Sequence, residues 1–347
     1  MDFNLDETQQ DLRKLTIEVL TRAEADTGDR SPGEGKDEGK GEAEDGLWQA
    51  GLMGVCVPEE AGGAGLGPVE MAVVLREVGA RAASVPALPI LVSTLALARH
   101  GTLGQQRRAT RATLALREPG RPLPAPPTTT ASTCQDTEVP DGGWSLSGRK
   151  VSVPHPAEHV LVTADEGLFL VESPPGTPEF TSTGEPAAVV VLDGTPAERV
   201  AGAEAVDDVR RLFGVAVAAQ ASGVLAGALE LTTSYIRTRR QFGRALAEFQ
   251  AVTMQIADVY VAGRALDVAM WSAAWRLGEG LPADQDVALA AFHVCEAVKA
   301  LYTCQHLHGG LGLDVTYPLH RYFAQAKHLS HLLGGADAQL DLIGALV

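Results

Sequence analysis

The chain has 347 residues, 45% of them hydrophobic and 21% charged, with a formal net charge of −16. That length suggests two or three domains of roughly 100–200 residues with ample material for a core, and the acidic surface excludes a phosphate backbone as a natural partner. Cys56, Cys134, Cys295 and Cys304 are too few and scattered for a disulfide scaffold or a Cys-x-x-Cys metal site. The opening Met1-Asp2-Phe3-Asn4 has no basic or apolar stretch of a secretory signal, and no uninterrupted apolar run reaches the roughly 20 residues of a membrane span. A cytoplasmic protein away from membranes is expected.

Asp6-Glu7 precede an amphipathic helical run through Leu12, Leu15, Ile17, Val19 and Leu20. Residues 26–45 are rich in Gly, Glu, Lys and Asp with almost nothing to bury, which predicts a flexible loop. Helical signals return at Leu47-Trp48. The Gly-rich turn at 58–67 lacks the Lys-Ser/Thr of a phosphate-binding loop. Helices are predicted over 68–80 and 87–99. The middle changes period: 113–116, 144–146, 150–153, 159–163, 168–171 and 188–192 are short β-rich runs. Turn signals such as Ser147-Gly148, Glu166-Gly167 and Asp193-Gly194 bound them. From Val206 the pattern is helical again, with 213–237 reading as a buried helix and Phe249, Val252, Ile256 and Val259 as one apolar stripe. Asp284 and Asp286 suit the N-terminus of a further helix, which stops at Gly309-Gly310. The expected fold class is α+β. It comprises an N-terminal helical domain (1–110), a middle antiparallel β-domain (111–203) and a C-terminal four-helix bundle (204–347).

Several motifs follow that order. They are Trp48 with Gly51-Leu52-Met53-Gly54-Val55 and Pro58-Glu59-Glu60, Arg239-Arg240-Gln241-Phe242-Gly243 with Phe249-Gln250, and Gly309-Gly310-Leu311-Gly312 with Tyr317-Pro318. Together, over nearly the whole chain, they resemble the acyl-CoA dehydrogenase family. The resemblance implies the acyl-CoA dehydrogenase fold and an FAD lying across a subunit interface, its ring in one subunit's β-domain and its ADP half on the neighbour's helical domain. It makes Arg239, Gln241, Phe242, His306, Gly309 and Gly310 the cofactor-binding residues. Their chemistry agrees. Arg239 is a permanently charged planar fork suited to a pyrophosphate. Gln241 can hydrogen-bond beside it, Phe242 can pack on the adenine side, and Gly309 and Gly310 allow close backbone approach. His306 falls where the family has a glutamine near the cofactor.

The family removes an α-proton from an acyl-CoA with a glutamate in a dry pocket while a hydride leaves to the flavin. Aligning on Tyr317-Pro318 and Lys327 puts Leu333 at the commoner base position. Counting 26 residues back from Arg239 puts Phe213 at the alternative one. Neither side chain accepts a proton, so no catalytic residue is assigned to this chain. The family's flavin-ring contacts are replaced by Arg117-Glu118-Pro119 with a Pro-rich loop, and by Ser152-Val153-Pro154. The stretch 306–322 with Leu332-Leu333-Gly334-Gly335 resembles the base-lacking subunit of the heteromeric (α2β2) branch that degrades steroid side chains, as in cholesterol degradation. That resemblance implies an FAD shared with a base-carrying homologue, a steroid acyl-CoA substrate and an electron-transfer flavoprotein as electron acceptor. A self-sufficient dehydrogenase with a relocated base and a flavin-free scaffold are the alternatives.

Six of the nine histidines lie after residue 290: His293, His306, His308, His320, His328 and His331. Two residues apart on a helix, His306 and His308 point roughly 200° apart, and no carboxylates cluster with them, so no metal is expected. Asp165-Glu166 and Asp207-Asp208 are read as turn and helix-start charges rather than catalytic pairs.

Overall fold

The computed structural model describes residues 4–28, 38–133 and 143–346. In chain order the helices are α1 (Glu7–Gly28), α2 (Glu38–Gln49), α3 (Pro68–Ala80), α4 (Ala87–His100), α5 (Leu103–Arg108), α6 (Glu204–Thr238), α7 (Gln250–Gly278), α8 (Asp284–His308), α9 (Leu319–Leu332) and α10 (Gly335–Leu346). The strands are β1 (Thr113–Ala115), β2 (Thr130–Thr133), β3 (Trp144–Pro154), β4 (His159–Ala164), β5 (Gly167–Glu172), β6 (Gly176–Phe180), β7 (Pro186–Ala201), β8 (Arg240–Gln241) and β9 (Arg244–Ala245). Helices, then a sheet, then helices is the expected order.

Two compact units divide the chain: Met1–Ala50, Ala72–Val85 and Gly214–Val347 in the first, Gly51–Met71 and Pro86–Phe213 in the second. In the helical unit α8 lies at the centre, packed by α7, α9 and α10. Its buried positions are mostly small, among them Ala288, Ala291, Ala297 and Cys304, which lets the surrounding helices come close. In the other unit the sheet runs β1-β4-β5-β7-β3-β2, with β6 also paired to β7. Every pairing in it is antiparallel except β1 with β4, which is parallel. Phe169, Val162, Leu146 and Val190 fill its core, the inward positions of strands alternating at period two.

Three readings change. The segment 26–45 is helical at both ends, since α1 continues to Gly28 and α2 begins at Glu38. Its remainder, 29–37, lies outside the described residues. Asp193-Gly194, read as a turn, is an irregularity inside the 16-residue β7, where the register against β3 shifts between Leu146 and Gly148. Strands β2 and β6 had no apolar alternation to announce them, because β6 is exposed along its whole length.

Helix α6 and the stretch Asp284–Leu313 are long and apolar enough to cross a membrane, but 83% and 50% of their most apolar windows are buried inside the fold. Length and apolarity there serve a core. The buried thiols follow the same logic. Burial pushes Cys56 and Cys295 above the usual thiol range and Cys304 up to about 11, so little thiolate exists at neutral pH. Iodoacetamide is expected to leave all three unmodified in the native protein and to alkylate them after unfolding, as peptide mass mapping reads directly.

Candidate functional site

The Arg239 segment follows α6 directly. Its amide donates to the Tyr235 carbonyl at 2.8 Å, so it is the last residue tied to the helix. The chain then turns back in the short β8–β9 hairpin, pairing Arg240 with Ala245 and Gln241 with Arg244. The two turn residues, Phe242 (φ 50°) and Gly243 (φ 81°), both lie in the left-handed region, as a tight type I′ hairpin demands. Glycine adopts that conformation freely, but a phenylalanine held there costs roughly 1–3 kcal/mol. Phe242 is also 93% exposed. A strained and fully exposed aromatic contributes nothing to the stability of this chain by itself, which marks it as a surface made for something else. Its one ring neighbour is Phe249, edge-on at 6.4 Å, and Phe249 in turn carries the Arg244 guanidinium at 4.0 Å.

Arg240 donates to the Gly243 carbonyl at 3.4 Å. By contrast, the side chains of Arg239 and Gln241 are exposed and make no hydrogen bond or ion pair among the described residues. An uncommitted guanidinium beside an uncommitted amide and an exposed ring is a donor set for a flat, anionic ligand.

The Gly309–Gly310 turn ends α8. Gly309 has φ 59° and ψ −138°, a combination closed to residues with a side chain, and a Cβ at Gly310 would meet nothing, so open space lies above the turn. The structure brings this turn to the Arg239 segment through Tyr235. The Tyr235 ring stacks on His308 at 4.3 Å with a 21° tilt, and His308 meets Tyr317 at 5.3 Å. His308 is buried and His306 exposed, so the two imidazoles do lie on different faces, and no metal-binding group of His, Cys, Asp or Glu occurs among the described residues. Among the described residues no hydrogen bond or ring contact ties His306 to the hairpin. Sequence reading missed Tyr235, and it named His308 and Tyr317 without giving either a place in the site; the available signal was Tyr235 standing one helical turn before Arg239 and His308 directly before Gly309.

The two residues that the resemblance aligns with the family's base positions are apolar and buried. Leu333, at the end of α9, is 4% exposed, and Phe213 in α6 is 5% exposed. Nothing at either position can take up a proton.

In the sheet unit, the residues that the resemblance aligns with the family's flavin-ring contacts serve the fold. Glu118 is buried and accepts from Thr128 (N and Oγ1, both 2.6 Å), from Thr129 (N 2.9 Å, Oγ1 2.6 Å) and from Lys150 Nζ at 2.7 Å. Burial alone would raise its carboxyl, but the hydrogen bonds from Lys150, Thr128 and Thr129 outweigh that and hold it at about 2. Lys150 is fully buried and also donates to Thr163 Oγ1 at 3.2 Å. Ser152 sits at φ 51° where the register between β3 and β7 is irregular, followed by Pro154. Asp208 is likewise structural. Burial raises it, yet bonds from His100 (2.8 Å) and Arg99 (2.9 Å) bring it below the usual carboxylate range.

Comparison with known proteins accords with this geometry. The acyl-CoA dehydrogenase C-terminal domain family matches residues 212–347 and the acyl-CoA dehydrogenase N-terminal domain family residues 6–115. Acyl-CoA dehydrogenase FadE28 of Mycobacterium tuberculosis is 39% identical over 325 residues, covering 86% of this chain and 91% of that protein. Among solved structures, the Tcur3481–Tcur3483 steroid ACAD G363A variant is 38% identical with a TM-score of 0.85, covering 98% of this chain and 97% of its counterpart. The ChsE4–ChsE5 complex from Mycobacterium tuberculosis is 32% identical with a TM-score of 0.86, covering 99% and 98%. The chain belongs to the acyl-CoA dehydrogenase family.

FAD, the cofactor implied by the resemblance, fits one half of this chain. The open turn at Gly309–Gly310, the uncommitted Arg239 and Gln241 and the exposed Phe242 suit an adenine dinucleotide end. The sheet unit does not offer the ring an equivalent place: at the stretches that the resemblance aligns with the ring contacts stand an internal ion pair and a proline.

Proposed function

We propose that this chain is the non-catalytic subunit of a heterotetrameric, α2β2, FAD-dependent acyl-CoA dehydrogenase. The complex introduces an α,β double bond into a CoA thioester, of a steroid with a shortened side chain, in the cytoplasm. The observation that carries this reading is the contrast within the chain. An uncommitted, exposed set at Arg239, Gln241 and Phe242 faces outward, while both base positions hold buried apolar side chains. Mutational decay of an unused enzyme would not spare the first while emptying the second. The steroid assignment rests on the likeness to a steroid ACAD and on the resemblance of the 306–322 stretch.

Arg239 neutralises the pyrophosphate, Gln241 and His306 offer hydrogen bonds, Phe242 packs on the adenine side, and Gly309 and Gly310 let the backbone close on the dinucleotide. Bound FAD supplies a hydride acceptor. The base and the seat for the flavin ring belong to a base-carrying homologue, and the electrons leave to an electron-transfer flavoprotein. Neither Leu333 nor Phe213 can serve as a base in this subunit.

The test is flavin absorbance per chain, measured for this protein alone and after co-expression with a base-carrying homologue. The expected result is no flavin alone and about half a flavin per chain in the mixed complex, the ratio of one shared cofactor per αβ pair. A full complement of flavin in the protein alone would mean a self-sufficient enzyme. No flavin in either preparation would mean a scaffold.

A further inference from the structure

The hydrogen bonding of His308 defines what it lacks. Nδ1 lies 2.8 Å from the Cys304 carbonyl, an atom that can only accept, so Nδ1 carries the proton. The ring is 97% shielded yet Nε2 has no partner among the described residues. In a neutral imidazole protonated at Nδ1, Nε2 is an acceptor. It therefore calls for an O–H or N–H donor and would repel a phosphate oxygen. Burial also pulls His308 below the usual imidazole range, which keeps the ring neutral.

The surroundings place this acceptor between the two segments of the candidate site. His308 directly precedes the open Gly309–Gly310 turn. Its ring is held against Tyr235, whose hydroxyl points at the His308 carbonyl at 3.5 Å and whose own carbonyl anchors the Arg239 amide. Tyr317 closes the far side. The ring stack thus joins the only two segments that the proposed site uses, and a change at either end is felt at the other.

We infer that Tyr235, His308 and Tyr317 form a clasp that sets the Arg239 hairpin and the Gly309–Gly310 turn in one geometry, with His308 Nε2 accepting a hydrogen bond from a hydroxyl or amino group of the bound dinucleotide. His308 is a positioning residue and takes no part in the chemistry. This inference rests on the shared-cofactor reading above, and its test separates the two.

The experiment is FAD titration of the deflavinated mixed complex, followed by flavin fluorescence, with thermal unfolding as a control for each variant. His308→Phe keeps the ring and removes both nitrogens. It is expected to weaken FAD about tenfold, the factor one hydrogen bond of ordinary net strength represents. Tyr235→Phe keeps the stack and should bind as the parent does, whereas Tyr235→Ala should lose affinity with His308→Phe. If His308→Phe assembles poorly, His308→Gln, whose amide can still accept, takes its place and is expected to retain FAD. Arg239→Ala is the reference. Loss of FAD with Arg239→Ala but parental affinity in His308→Phe, or loss in His308→Gln equal to that in Tyr235→Ala, overturns the clasp alone. Parental affinity in Arg239→Ala overturns the shared-cofactor reading and the clasp with it.

Discussion

Replacing Lys150 by methionine is expected to destabilise the sheet unit by roughly 3–5 kcal/mol, the cost of leaving one member of a buried ion pair without the other. The side chain is fully shielded and its ammonium bonds both Glu118 and Thr163. The methionine can fill the channel of the lysine stem, so cavity formation contributes little and the loss is electrostatic. The double variant Lys150→Met/Glu118→Gln is therefore expected to recover part of the loss, because no charge is left to bury and the amide oxygen still accepts from one of the two threonines, while its NH2 faces the other. Denaturant midpoints by circular dichroism give both values. If single and double variants were equally unstable, packing rather than charge would be the cause. The pH dependence has a definite sign. With Glu118 lowered from 4.5 to about 2 on folding, its contribution is fully present above pH 4.5 and is lost as the pH falls toward 2. By linkage that contribution is on the order of 3 kcal/mol. The Lys150→Met protein, with a weaker hold on the carboxylate, should show a shallower acid dependence over that interval.

The same residues explain how far the sequence could be read. Helix and strand order was legible because burial leaves a pattern: α7 shows Val259, Leu266 and Met270 inward, and β4 and β5 are short, mostly apolar buried runs split by a turn at Glu166-Gly167. The motif positions at Arg239 and Gly309 were legible because their chemistry is local to a few consecutive residues. What stayed hidden depends on partners distant in the chain. Glu118 and Lys150 are 32 residues apart, and nothing in either neighbourhood says that three threonines complete the network. The His308–Tyr235 stack joins residues 73 apart. Phe242 was recognised for its ring, but its strained backbone belongs to a two-residue turn whose usual occupant is asparagine or aspartate, so propensity pointed away from it. The helical ends of 26–45 were missed because composition reports how much a segment can bury, and α2 is stabilised by its neighbour α1 rather than by its own propensity.

Gly223→Ala is expected to be the most damaging single-methyl addition in the helical unit. A Cβ there would lie 1.8 Å from the Arg76 carbonyl oxygen and 2.7 Å from the Ala80 nitrogen; at Gly227 it would lie 2.2 Å from the Ala80 oxygen, and at Gly79 2.0 Å from the Gln220 oxygen. The backbones of α3 and α6 touch directly, and no flexible side chain is present to yield. Overpacking of this kind costs about 1–3 kcal/mol or more, and the upper end is expected, because separating the helices also strains the bonds from Arg76 to Ser222 (3.1 Å) and Asp267 (3.2 Å). Gly344→Ala is the control: it adds a methyl to helix α10 with nothing within 4 Å and should be neutral or stabilising by up to about 1 kcal/mol. Comparison of their thermal midpoints decides whether contact or composition is at work, since equal effects would remove contact as the cause. The consequence reaches function because α6 is continuous to Thr238 and carries Tyr235 and Arg239 on its last turn and just beyond. A displaced α6 carries the hairpin with it, so on the proposed function Gly223→Ala should also weaken FAD binding, although the substitution touches none of the residues proposed to hold it.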